Sequence, residues 1–83
     1  MSRIFECILN KVCKGKVQEP FSANDVIDCL GTSTPFLGKH ASDPNNPLKK
    51  NYGNEYFIRV GVGSYKINPK YRKCPEKVTR ILN

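Results

Sequence analysis

Eighty-three residues, 39% of them apolar, suffice for one small domain built on a single modest core. Fourteen basic against seven acidic residues give a formal charge of +7, which biases the chain toward polyanions: nucleic acid, an acidic protein or an anionic surface. No apolar run nears the roughly 20 residues of a membrane span, and Glu6, Asn10 and Lys11 interrupt the stretch a secretion signal would need. The expectation is therefore a cytoplasmic protein away from membranes. Cysteines at 7, 13, 29 and 74 form no CxxC pair, so they read as reduced thiols rather than a disulfide framework. With a single histidine beside them, they do not give metal-ligand spacing, and no cofactor is expected.

The first helix is expected over 2–13. Ile4, Phe5, Ile8, Leu9 and Val12 recur as one broad apolar stripe, and Gly15 follows as a stop. Residues 16–20 form a linker. A second helix is expected over 22–30, with Ser22 as N-cap, Asp25 three residues on, and Val26, Ile27 and Leu30 facing the core. Gly31 ends it, and Thr34 followed by Pro35 opens a third helix over 35–42: a hydroxyl to cap, then a proline where no N–H is needed. Leu37 and Ala41 take its core side. Residues 43–55, with two prolines, four asparagines and a glycine, read as a long loop.

Residues 56–67, YFIRVGVGSYKI, read as a β-hairpin. A four-residue loop over Gly61–Ser64 would set Val60 opposite Tyr65 and Ile58 opposite Ile67, making one face apolar. The other face would then carry Arg59 and Lys66 together as a like-charge pair, which an anion would relieve. A three-residue loop would put Ile58 opposite Lys66 and mix the faces, so the four-residue loop is the expected one. The tail is basic. From Arg59 to the end there are seven basic residues and one acidic, whereas residues 17–38 hold three acidic residues and none basic. Pro75 opens a last expected helix over 75–82, where Val78, Ile81 and Leu82 share one side and would pack on the domain or form a homodimer contact.

Helix, glycine-containing turn and helix make a helix-turn-helix pattern, whose second helix enters a DNA major groove in many proteins. With the hairpin after it, the order is that of a winged helix-turn-helix. Over residues 21–67 the chain resembles the small winged-helix modules associated with bacterial restriction-type endonucleases and related defence or chromatin proteins. The resemblance rests on FSANDVIDCL, STPFLGKH and EYFIRVGVGSYKI. It implies an α+β fold that binds DNA through the third helix and the wing. Two departures stand out. Gly38 weakens the third helix, and Val62 occupies the wing tip where a basic residue would suit phosphate.

The expected function is therefore duplex-DNA binding, as a regulator or recognition subunit. Thr34, Lys39, His40 and Ser42 would contact DNA from the third helix, and Lys49 and Lys50 from the loop. Arg59 and Lys66 would do so from the wing, and Lys70, Arg72 and Lys73 from the tail. One alternative is a protein-interaction module of a larger defence or regulatory complex. Another is RNA binding, with Tyr52, Tyr56 and Phe57 as stacking candidates. No catalytic constellation is recognisable, so an enzyme is not expected.

Overall fold

The computed structural model describes residues 2–46 and 53–74. The sites and contacts expected at Lys49, Lys50 and Tyr52, and the helix over 75–82 with Val78, Ile81 and Leu82, lie outside the described residues.

Helix α1 spans Arg3–Cys13, and the Ser2 Oγ accepts a hydrogen bond from the Phe5 N–H at 3.3 Å. Phe5, Ile8, Leu9 and Val12 are its buried residues, the same stripe the periodicity picks out. The chain then runs to Phe21, whose N–H and carbonyl exchange 2.8 Å hydrogen bonds with the Tyr65 carbonyl and N–H as an isolated antiparallel bridge.

The helix expected over 22–30 is broken. A 3-10 turn over Asn24–Val26 precedes helix α2, which is only Ile27–Leu30. Val26 sits at φ −125°, ψ 25°, outside helical geometry. Ser22 does not cap the turn. Instead the Asp25 carboxylate accepts from both the Ser22 N–H, at 2.9 Å, and its hydroxyl, at 3.2 Å, which is the reach-back half of a capping box. The break rotates Ile27 outward, 45% exposed, while Val26 and Leu30 stay buried. Gly31 then takes a positive φ of 59°.

Helix α3 is also shorter than expected, Phe36–Lys39. Pro35 occupies its cap position and no side chain caps it, so Thr34 does not serve as the expected N-cap. The chain leaves the helix at His40, whose carbonyl accepts from the Phe57 N–H at 3.0 Å. Ala41–Ser42 consequently form strand β1 rather than a last helical turn. Strand pairing wins here because a four-residue helix containing Gly38 has little propensity to defend.

Strands β2 (Phe57–Gly61) and β3 (Ser64–Ile67) are antiparallel, and β1 pairs parallel to β2, giving the order β1-β2-β3. A parallel neighbour cannot be reached by a tight turn, which accounts for the long connection over 43–56. The hairpin register differs from the expected one. Phe57 faces Ile67, Ile58 faces Lys66 and Arg59 faces Tyr65, with an irregularity between Arg59 and Gly61 and a two-residue turn at Val62–Gly63. Val60 is the extra residue, and Gly63 supplies the positive φ of 67°. The cause is burial. Phe57, fully inaccessible, and Ile67 claim the core side of the sheet, and Val60 is left 46% exposed. Arg59 and Lys66 therefore lie on opposite faces and form no like-charge pair.

The core is strongly aromatic. Phe5 stacks on Tyr56 at 4.4 Å between ring centroids, and Phe57 sets its edge against Phe5, Phe21, Phe36 and Tyr56 at 5.7–6.2 Å. After β3 a 3-10 turn over Pro69–Tyr71, capped by Asn68, sets Tyr71 against Tyr56 at 5.1 Å. The cysteines also depart from expectation. All four are paired, Cys7 with Cys29 and Cys13 with Cys74, at Cα separations of 5.7 and 5.5 Å. The sequence spacing concealed this because α1 presents Cys7 and Cys13 to two segments distant in the chain.

Candidate nucleic-acid interface

A groove of about 580 Å³ opens between the Ser22–Asn24 segment, α3 and the hairpin turn. Ala23, Pro35, Leu37 and Gly38 give it a mainly apolar floor. Ser22, Asn24, Thr34, Lys39 and Tyr65 bring polar groups to it, and Gly63 of the hairpin turn also lines it. Tyr65 reaches over α3 so closely that a Cβ on Gly38 would lie 3.9 Å from its hydroxyl oxygen, an ordinary contact. Thr34 and Lys39 are exposed, whereas Leu37 is buried at 1% exposure, so α3 turns its polar side to the groove and its apolar side to the core.

Of the residues expected to contact DNA, the groove gathers Thr34 and Lys39. His40 is on the other side of α3. Its Nδ1–H donates to the Asn54 carbonyl at 2.9 Å, and its ring lies 4.5 Å from Phe36 and 5.4 Å from Tyr56. It pins the returning loop to α3. Ser42 is taken up in β1. Arg59 donates through Nη1 to Asp43 Oδ2 at 3.0 Å, and this acid does what an anion was expected to do. Lys66 is exposed on the hairpin's outer face, opposite Ile58.

The tail cations are distributed likewise. Lys70 lies 5.7 Å from the Tyr71 ring centroid and borders a polar recess of about 260 Å³ with Asn54, Glu55 and Asn68. Arg72 pairs with Glu19 at 3.3 Å. Lys73 is exposed. Of the stacking residues expected for RNA, Tyr56 is 5% exposed and Phe57 inaccessible, so neither can stack on a base, and Tyr52 lies outside the described residues.

Ser22, Asn24 and Tyr65 were not legible as groove residues. Ser22 reads as a cap and Tyr65 as a hairpin apolar residue, and only the Phe21–Tyr65 bridge brings them beside α3. Among the described residues no group of three His, Cys, Asp or Glu side chains is placed to hold a metal ion, and no helix is long and apolar enough to cross a membrane. Comparisons with protein-family models, with curated proteins and with solved structures find no match to this chain.

Proposed function

We propose that this chain is a winged-helix module that binds duplex DNA, presenting α3 to the major groove and the β2–β3 turn to the backbone. The observation that carries the reading is the Phe21–Tyr65 bridge. It makes the order helix, bridging strand residue, two short helices, the short strand β1, and then strand, turn and strand, and it brings the hairpin turn beside α3. Thr34 and Lys39 then share one face with the wing, on a chain of formal charge +7. Among the described residues the contact set becomes Thr34, Lys39, Lys66, Lys70 and Lys73. Arg59, His40 and Ser42 are committed elsewhere, and Arg72 is shared with Glu19. The role is that of a binding module, not an enzyme.

The test is a titration with random-sequence duplex at about 50 and 200 mM salt, where phosphate-driven affinity falls by orders of magnitude. Lys39→Ala weakens binding at both salts and lowers the log–log slope by about 1. Absence of binding at the lower salt with micromolar protein overturns the reading. The apolar floor of Ala23, Pro35, Leu37 and Gly38 specifically favours the second reading, a protein-interaction module of a larger complex, which that result would leave standing.

The paired cysteines qualify where the module works. A cytoplasmic location fits only an interior that sustains protein disulfides, as in hyperthermophiles; in a reducing cytosol the four would stand as thiols.

A further inference from the structure

The two disulfides sit in different electrostatic surroundings. Cys7 follows Glu6 and Cys29 follows Asp28, while Arg3 and Lys11 lie one turn to either side of Cys7 on α1, so the bond between α1 and α2 has charges of both signs around it. Lys11 pairs with Asp28 at 2.7 Å and so neutralises part of that flank while tying the same two helices together. Both cysteines are half-buried, and both helices are anchored by inaccessible or nearly inaccessible residues, Phe5 and Ile8 on one side, Val26 and Leu30 on the other.

The other bond is basic on both sides. Cys13 is followed by Lys14, and Cys74 is preceded by Lys73. With 5.5 Å between the cysteine Cα atoms, the Lys14 and Lys73 Cα atoms are no more than about 13 Å apart. Lys16 and Arg72 lie one residue further out, although Arg72 is partly answered by Glu19 at 3.3 Å. Cys74 is exposed, beyond the 3-10 turn Pro69–Tyr71, and its sulfur bond ties residues 72–74 onto α1.

We propose that Cys13–Cys74 is an exchangeable bond, a site of attack by an anionic low-molecular-weight thiol of the glutathione class, and that Cys7–Cys29 is the permanent staple. A thiolate R–S⁻ attacks one sulfur of the Cys13–Cys74 bond, forming a mixed disulfide and expelling the other cysteine as a thiolate, which takes a proton. A second R–S⁻ attacks the external sulfur of that mixed disulfide and releases the second cysteine. The protein disulfide gains two electrons, and two external thiols become R–S–S–R. The cations act twice: they concentrate the negatively charged thiol, and they stabilise the departing thiolate, whose lowered pKa speeds its release. Around Cys7–Cys29 the acids Glu6 and Asp28 are offset by Arg3 and Lys11, so neither effect operates there.

The oxidised protein is incubated with glutathione, or with uncharged 2-mercaptoethanol at equal thiolate concentration. Samples are quenched by alkylation and the labels located by peptide mass spectrometry. Cys13 and Cys74 are expected to label at least roughly tenfold faster than Cys7 and Cys29, while far-UV circular dichroism remains unchanged. The advantage of glutathione over 2-mercaptoethanol shrinks between about 50 and 500 mM salt, and also in Lys14→Gln with Lys73→Gln, two exposed positions where folding is not at risk. Four free thiols after treatment with glutathione disulfide, a different pairing, Cys7–Cys29 opening first or at the same rate, or a glutathione advantage indifferent to salt would each overturn the proposal.

Discussion

Arg59 on β2 donates to Asp43, the residue after β1, at 3.0 Å, with the Asp43 side chain only 8% exposed. The Asp43 carboxylate also accepts from the Asn45 N–H at 3.0 Å, so it closes the turn after β1 while holding the neighbouring strand. The hairpin arginine is thereby a structural residue, and the turn at Asp43–Asn45 is held from the sheet side.

Arg59→Gln is therefore expected to destabilise the domain by about 1–3 kcal/mol, because it strips a charged partner from a largely buried acceptor. Under the proposed DNA-binding reading it should leave the salt dependence of binding unchanged. Urea denaturation reads the first effect and a two-salt titration the second. A lowered salt slope with unchanged stability would return Arg59 to the proposed contact set.

Helix α3 separates core from groove within four residues. Leu37→Ala is expected to cost about 2–5 kcal/mol, since Leu37 is 1% exposed. Gly38→Ala meets only the Tyr65 hydroxyl oxygen at 3.9 Å and has no positive φ to violate, so it should stabilise by about 0.5–1 kcal/mol through helix propensity. If Gly38→Ala lowers the urea midpoint instead, α3 and Tyr65 approach more closely than described.

What was legible in the sequence follows from which forces decide each element. The α1 stripe is three turns long and reports its own buried face, and Leu37 and Ala41 read correctly as core residues even though Ala41 belongs to a strand. Four-residue helices are decided by what they pack on, so Val26 and Ile27 looked equivalent until the 3-10 turn separated them. The bulge at Val60 leaves no mark in an alternating pattern, and a one-residue shift sets Arg59 opposite Tyr65 and moves Lys66 to the other face of the hairpin. Cysteine spacing carries no pairing information at all. The groove gathers Thr34 and Lys39, which were legible as polar positions to either side of the core residue Leu37. Tyr65 was not, because its groove position depends on a bridge to a residue forty-four positions earlier.

Asp28 makes the acid limb of stability testable. Its hydrogen bond to Lys11, at 2.7 Å, holds its carboxyl below the usual carboxylate range, with the Lys11 charge adding to the effect. A carboxyl whose pKa is lower in the folded chain contributes stability at pH values above its unfolded pKa. That contribution disappears as pH falls through the lowered folded value. The urea midpoint should thus fall on acidification below the usual carboxylate range, and Asp28→Asn should flatten that limb. Because the pair is exposed, about 0.5 M salt should flatten it as well. A limb untouched by both changes would assign it to other acids.

Glu19 holds together the linker, β3 and the segment leading to Cys74. Its Oε2 accepts from the Ile67 N–H at 2.6 Å, and its Oε1 lies 3.3 Å from Arg72 Nη2. Ile67 is 2% exposed, so water has little access to its N–H if the carboxylate is removed. Glu19→Ala is therefore expected to cost about 1–3 kcal/mol, the penalty of an unsatisfied buried donor, with the Arg72 pair adding little because it is largely exposed. Glu19→Gln keeps an acceptor oxygen for Ile67 and loses only the charge, so it should cost clearly less than Glu19→Ala. Arg72→Gln should cost less still, within about 1 kcal/mol. Urea midpoints of the three variants give the ranking. Equal losses for Glu19→Ala and Arg72→Gln would mean that the ion pair, rather than the Ile67 hydrogen bond, closes the end of β3.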